Sequence, residues 1–129
     1  MTLSRRHQSW LDLAAKLALD SVCRQRHGAV IVVRNSVLAL GTNKFRNHPK
    51  FIHEYDHCSR HAEMVALRSV IRQSEWVDLR KAVVYVARVA GRGTLRLSRP
   101  CDSCWTALTN AGIRTAVYTT ENGGTMERW

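Results

Sequence analysis

Two segments that lie far apart in the chain carry side chains able to bind one metal ion. The first is His61-Ala62-Glu63, and the second is Pro100-Cys101-Asp102-Ser103-Cys104. One imidazole and two thiolates are common zinc ligands, and three protein ligands leave the fourth tetrahedral position open for water. If all three side chains bind the same ion, the fold has to bring the two segments together. This requirement constrains the topology more than any other feature of the sequence.

Both segments have features of helix N-termini. Pro100 suits a helix start, because the N–H that proline lacks would have no intrahelical partner there. Cys101 and Cys104 are one helical turn apart, so both sulfurs can reach one ion, and the positive end of the helix dipole favours the thiolate form. An apolar periodic run over 62–71 predicts a second helix that opens at His61. We therefore expect two helix N-termini to face one metal.

Glu63 follows His61 on the first turn of that second helix and can point at a water on the metal. A carboxylate that does not bind the ion is what hydrolytic chemistry adds to a metal site. The alternatives are a redox CxxC pair, an accidental surface HxE, or a structural zinc site completed by a further Cys or His, such as Cys23 or Cys58. The order of the residues and the proline favour an open, catalytic zinc site.

The combination of H-x-E and P-C-x-x-C resembles the motif of zinc nucleobase deaminases, the superfamily that includes cytidine and deoxycytidylate deaminases. The similarity covers most of the chain. It includes the strand after Arg26-His27-Gly28, the strand end Gly41-Thr42-Asn43, the His61-Ala62-Glu63 helix and the link Asn110-Ala111-Gly112-Ile113-Arg114.

The resemblance implies a mechanism and a cofactor. One catalytic Zn²⁺, held by His61, Cys101 and Cys104, would activate a water for attack on the ring carbon that carries the exocyclic amine. Glu63 would transfer the protons. The resemblance also implies that Asn43 contacts the sugar of the substrate and that the Ala62 backbone contacts the base. For Asn43 the alternative is a residue that only ends a strand.

Other residues are expected to contact the substrate because they flank these motifs, precede the catalytic helix or, in the case of Tyr118, lie on the fourth strand towards the pocket mouth. They are Arg26, His27, Phe45, His48, Arg60, Ser98, Arg99, Trp105 and Tyr118. The polar loop over 44–60 mixes aromatic, histidine and basic residues, as surfaces that stack single-stranded bases do. A solvated loop anchored by its aromatic residues is the alternative. Its His53, His57 and Cys58, taken with Cys23, match no strong motif for a second zinc.

The apolar patterns predict a single domain over 1–129 with an α/β fold. A helix is expected over 9–23, and strands over 29–33, 37–43, 81–89 and 114–119, the first two forming a hairpin. This order is that of the cytidine-deaminase-like fold, a three-layer α/β/α arrangement around a mixed four- to five-stranded sheet. Many relatives add a helix and a parallel strand at the end, but here we expect a short antiparallel strand over 125–129.

The charge of the chain indicates the kind of partner. Lys and Arg total 20 against 10 Asp and Glu, a net charge of +10. Such a surplus favours a polyanion, although a GC-rich source can also inflate arginine content. The leading hypothesis is therefore a cytosine-to-uracil deaminase acting on single-stranded DNA.

Three alternatives to this hypothesis remain. The first is a deaminase of free deoxycytidylate, although such relatives usually carry an asparagine where this chain has Met64-Val65. The second is a tRNA adenosine deaminase, which the segment 62–67 resembles. The third is a non-enzymatic binding module, which would have no need of Glu63. The oligomeric state stays open.

The sequence also bears on location. The first residues lack the apolar run of a signal peptide, and no stretch is long enough to span a membrane. Two of the four cysteines are assigned to zinc, which favours a reducing compartment over a disulfide framework. We therefore expect a cytoplasmic protein that does not contact membranes.

Overall fold

The structure, a computed structural model, describes residues 2–44, 60–73 and 77–129. Its helices are α1 (Arg5–Ala18), α2 (Ala62–Arg72) and α3 (Asp102–Ala111), with a 3₁₀ turn at Leu79–Lys81. Its strands are β1 (Arg26–Val33), β2 (Ser36–Thr42), β3 (Ala82–Ala90), β4 (Thr94–Arg96), β5 (Thr115–Thr120) and β6 (Gly123–Arg128). None of the described helices has the length and apolar composition needed to cross a bilayer.

The strands form one mixed sheet. Its order is β2-β1-β3-β5-β6, and the short strand β4 also pairs with β3. Strands β3 and β5 are parallel, and the other pairs are antiparallel. Parallel neighbours need a crossover connection, which α3 supplies here. The mixed sheet and the first hairpin are confirmed, and β4 makes six strands where four to five were expected.

Helices cover both faces of the sheet. Successive residues of a strand point to opposite faces. Along β1, Val30 and Val32 pack with Leu11 of α1, whereas Ala29 and Ile31 pack in the core formed with α2 and α3. The predicted three-layer α/β/α arrangement is confirmed. The sheet therefore has an α1 face and an α2/α3 face, and the two metal-binding segments lie on the second.

The ends of the chain differ in detail from the predicted boundaries. Helix α1 begins earlier than residue 9, because Ser4 caps it by accepting a hydrogen bond from His7 N. It ends at Ala18 rather than at residue 23, and Val22, beyond its end, is 79% exposed. At the other end, β6 is antiparallel to β5, as expected, but starts at Gly123.

A glycine ends α3 and directs the chain into β5. Gly112 has φ of 103° and donates to Thr109 O, and Ile113 N donates to Leu108 O. A left-handed residue at this position is the usual way to satisfy the last carbonyls of a helix. Ile113 is completely buried just before β5. The Asn-Ala-Gly-Ile link therefore fixes the helix that carries Cys104 against the central sheet.

Gly41 lets α2 pack directly on β2. A Cβ atom at this position would lie 2.6 Å from Ala62 O and 2.7 Å from Ala66 N. We expect Gly41→Ala to reduce the free energy of unfolding by about 1–3 kcal/mol, since helix and strand backbones must separate. Separation of the two backbones also displaces the start of α2, where His61 and Glu63 lie, so the catalytic activity should fall. Urea unfolding measures the first effect, with Leu40→Ala, at a side chain 47% exposed on the same strand, as the control.

Unchanged stability in Gly41→Ala would mean that the helix and the strand are not in direct contact.

Candidate metal centre and active site

Three side chains converge between the N-termini of α2 and α3. His61 Nδ1 lies 3.1 Å from Cys104 Sγ and 3.4 Å from Cys101 Sγ. All three donor atoms lie within 4.8 Å of one another. His61 and Cys101 are the residues that immediately precede α2 and α3, respectively. The expectation that two helix N-termini meet at one site is confirmed.

The geometry of this group fits zinc. With Zn–S near 2.3 Å and Zn–N near 2.0–2.1 Å, tetrahedral coordination separates nitrogen from sulfur by about 3.5 Å and the two sulfurs by about 3.8 Å. The observed nitrogen–sulfur distances are close to this value. Among the described residues, no fourth Cys, His, Asp or Glu belongs to the group. His61, Cys101 and Cys104 can therefore hold one zinc ion and leave a coordination position for water.

The two thiols differ in acidity because their surroundings differ. Burial alone would raise the pKa of Cys101, but hydrogen bonds from Ser103 and from Cys104 N–H, with the nearby His61, lower it to about 7. Burial raises the pKa of Cys104, and the neighbouring Glu63 carboxylate raises it further. Since zinc binds thiolates, its binding has to displace the proton of Cys104.

Glu63 lies beside the metal group without belonging to it. Its side chain is buried, with 4% exposure. Burial raises the pKa of its carboxyl group, while its own backbone N–H, His61 and Cys104 act in the opposite direction. A buried carboxyl group with a raised pKa is suited to accept and return a proton near neutral pH. This placement supports the predicted proton-transfer role.

The start of α2 also leaves backbone donors for a ligand. No side chain caps this helix, whose N-cap residue is His61. The first N–H groups of a helix have no intrahelical acceptors. Ala62, the first residue of α2, is completely buried next to the metal group. Its predicted contact with the base is compatible with this geometry and stays a prediction.

Asn43 is buried at the end of β2 and organises the segment before β1. Its Oδ1 accepts from Ser21 Oγ at 2.6 Å and from His27 N at 3.0 Å, and its Nδ2 donates to Gln25 O. An amide nitrogen carries two hydrogens, so one donor remains for the predicted contact with a sugar. The structure therefore gives Asn43 a role that the sequence did not suggest, and the sugar contact stays a prediction.

Arg99, Trp105 and Tyr118 form a cluster with the C-terminal strand. Arg99 Nε donates to Glu127 Oε1 at 2.7 Å, and the Tyr118 hydroxyl donates to the same oxygen. The Arg99 guanidinium carbon lies 4.5 Å from the ring centroid of Trp105, which in turn packs against Trp129 at 4.0 Å. These contacts fix the chain just before Pro100, so the cluster supports the metal-binding segment. Substrate contacts by its members stay predictions.

The other predicted substrate residues have different surroundings. Ser98 is buried, and its hydroxyl donates to Val86 O at 2.7 Å. This hydrogen bond attaches the segment before Pro100 to β3. Arg26 donates to Gly91 O. Arg60 forms a two-residue bridge with Lys44 directly before His61. For these residues the predicted substrate contact is untested.

His27 is close enough to His61 for the two charges to interact, and it lies on the α2/α3 face of β1. Burial is the largest cause of its lowered pKa, and the nearby charges of Arg88 and His61 act in the same direction. Phe45, His48 and most of the loop over 44–60 lie outside the described residues, as do His53, His57 and Cys58.

Sequence reasoning did not identify Glu127, Trp129 or Arg88 at this site. Glu127 is 28 positions from Arg99, and Arg88 reaches the site only through its pairing with β1. Glu127 and Arg88 have no local sequence signal, because the pairing of antiparallel strands determines which residues become their neighbours.

Comparisons with known proteins agree with this geometry. Residues 4–120 match the family model described as the cytidine and deoxycytidylate deaminase zinc-binding region. No curated protein matches the chain significantly.

Solved structures show the same fold. A dCMP deaminase of cyanophage S-TIM5, solved with dCMP and dUMP, is 22% identical, with a TM-score of 0.69 over 92% of this chain and 83% of that chain. A cytidine deaminase from Burkholderia pseudomallei is 17% identical, with a TM-score of 0.69 over 99% of this chain and 93% of that chain. The match to the family model spans most of the sequence and includes all three ligands. The chain therefore belongs to the zinc-dependent cytidine and deoxycytidylate deaminase family.

Proposed function

We propose that this zinc-dependent deaminase converts cytosine to uracil in single-stranded DNA. The reaction consumes one water and releases one ammonia at the ring carbon that bears the amine. Bound zinc supplies an acidified water as the nucleophile. The preference for a strand over a free nucleotide rests on the net positive charge of the chain.

In this proposal the residues of the chain orient the base and move the protons. Glu63 takes a proton from the attacking water and passes protons to the ring nitrogen and to the departing amine. The N–H groups at the start of α2 hold a polar edge of the base, and Asn43 uses its remaining amide hydrogen on the sugar. The metal ligands His61, Cys101 and Cys104 fix the position at which the base has to enter.

The observation that favours a strand over a free nucleotide is positive charge that the protein does not neutralise. The net charge is +10. Ion pairs within the described ranges join Arg80 to Asp78, Arg96 to Glu121 and Arg99 to Glu127. Lys44 and Arg60 bridge directly before His61 without an acidic partner among these pairs. A free nucleotide needs few cations for binding. A strand carries one phosphate per nucleotide, so its affinity increases with the number of cationic side chains that contact it.

Salt dependence tests this proposal. Zinc-loaded protein is given dCMP, a single-stranded DNA oligonucleotide or a tRNA anticodon stem-loop, at several KCl concentrations. We expect uracil from the oligonucleotide, with a KM that rises by about 0.7 log units per log unit of salt for each phosphate contacted. The KM for dCMP should change much less.

Each alternative predicts a different result in the same assay. Efficient turnover of dCMP with no reaction of the oligonucleotide at low salt contradicts the proposal and identifies a nucleotide deaminase. Hypoxanthine in the digested stem-loop identifies an adenosine deaminase.

A further inference from the structure

Three side chains form a row across the sheet beside the metal centre. His27 on β1 pairs with Arg88 on β3, and Arg88 pairs with Arg96 on β4. Residues directly opposite one another on neighbouring strands point to the same face. We call His27, Arg88 and Arg96 the basic row. With neighbouring strands about 4.8 Å apart, the row spans about 10 Å of the sheet.

The basic row lies on the same face as the metal centre. Gly28 faces α1, since a Cβ there would meet the backbone of that helix, so its neighbour His27 faces α2 and α3. On β3, Ala87 packs in the core with α1 and Val86 in the core with α2 and α3, so Arg88 shares the face of Val86. The row begins where Asn43 Oδ1 accepts from His27 N.

The arrangement of the two arginines has a cost within the protein. Like charges directly opposite each other destabilise a sheet. Arg88 has no carboxylate within ion-pair distance in the described parts of the chain, and Arg96 has only Glu121, at 3.9 Å. The Arg96 side chain is 44% exposed and that of Glu121 is 71% exposed, so this pair contributes little. Among the described residues, the repulsion between Arg88 and Arg96 is therefore largely uncompensated.

An anion lying over the pair removes this repulsion. One guanidinium group can bind two phosphate oxygens at once. Two guanidinium groups side by side are therefore better suited to two consecutive phosphates of a strand than to a single phosphate. Lys44, which follows Asn43, and Arg60, which precedes His61, form a bridge at the His27 end of the row and add two more cations. Positive residues therefore extend from Arg96 to the residue before His61, as expected if a strand passes beside the metal centre.

We propose that Arg88 and Arg96 bind the phosphate backbone of single-stranded DNA next to the cytosine that enters the metal site, with His27 at the inner end of the row. This inference rests on the proposed function, because it assigns a path to the same strand. It makes Arg88 and Arg96 substrate-binding residues.

Binding of an oligonucleotide without cytosine tests the row independently of catalysis. Fluorescence anisotropy with labelled oligothymidylate gives the Kd at several KCl concentrations. We expect Arg88→Gln with Arg96→Gln to weaken binding about tenfold at low salt and to lower the salt slope by about 0.7 for each arginine removed. Arg88→Lys should keep most of the slope, because it keeps the charge.

A matched control separates the row from general charge. Arg5 and Arg6 are exposed on α1, on the opposite face of the sheet, and Arg5→Gln with Arg6→Gln removes the same two charges. The inference is overturned if the Arg5→Gln, Arg6→Gln control weakens binding as much as the Arg88→Gln, Arg96→Gln variant, if the latter binds like wild type, or if wild type does not bind.

The deamination assay distinguishes failure of the row from failure of the proposed function. If wild type binds through the row and forms no uracil in DNA, the proposed function fails and the row stands. If wild type forms uracil and the double variant has the same KM for the oligonucleotide, the row fails and the function stands.

Discussion

Replacing Glu63 by Gln is expected to lower kcat by at least about 10²–10⁴-fold while zinc content stays near one per chain. The amide matches the carboxylate in shape but cannot take up and return a proton. Because Glu63 is buried beside the metal group without belonging to it, the metal site should still form. Uracil release and zinc content, measured on the same sample, check both parts of this prediction.

The control for this variant is the same chemical change at a remote carboxylate. Asp12 lies on α1, where it accepts a hydrogen bond from Gln8. Asp12→Asn should keep both zinc and activity. A Glu63→Gln protein that retains a substantial fraction of wild-type turnover would contradict the assigned proton transfer.

Removing a metal ligand is expected to lose both zinc and stability. His61→Ala, Cys101→Ala and Cys104→Ala each leave only two protein donors, and zinc binding is coupled to the folding of its site. A site that is saturated at 100–1,000 times its Kd contributes about 2.7–4.1 kcal/mol to the free energy of unfolding, and this contribution should disappear. Elemental analysis after dialysis and thermal unfolding with and without zinc measure the two effects.

Thr106→Ala is the control for the ligand variants, because Thr106 is exposed on the same helix as Cys104. This variant should keep one zinc and the wild-type unfolding temperature. One tightly held zinc in the Cys101→Ala and Cys104→Ala proteins would show that the ligand set is wrong.

The central part of the fold and the metal ligands could be predicted because their signals are local. The continuous apolar run of β1 indicates burial on both faces, and the structure places Val30 and Ile31 in different cores. The P-C-x-x-C segment combines a helix start with ligand spacing. The three ligand donor atoms lie within 4.8 Å of one another although they come from distant segments.

What could not be predicted depends on neighbours across the sheet. Glu127 holds Arg99 because β6 pairs antiparallel with β5, and the sequence gives no register for that pair. Arg88 meets Arg96 only because of the three-residue strand β4, which is too short for a periodic signal. The internal hydrogen bonds of Asn43 likewise follow from the path of the chain before β1.

The most direct test of the account follows two products in one reaction. Zinc-loaded protein is incubated with a single-stranded DNA oligonucleotide that contains one cytosine among adenines and thymines. Ammonia is measured in solution, and uracil and hypoxanthine are measured after digestion to nucleosides. The account predicts equal amounts of ammonia and uracil, no hypoxanthine, and neither ammonia nor uracil with Glu63→Gln. Hypoxanthine without uracil, or no ammonia release at low salt, would contradict it.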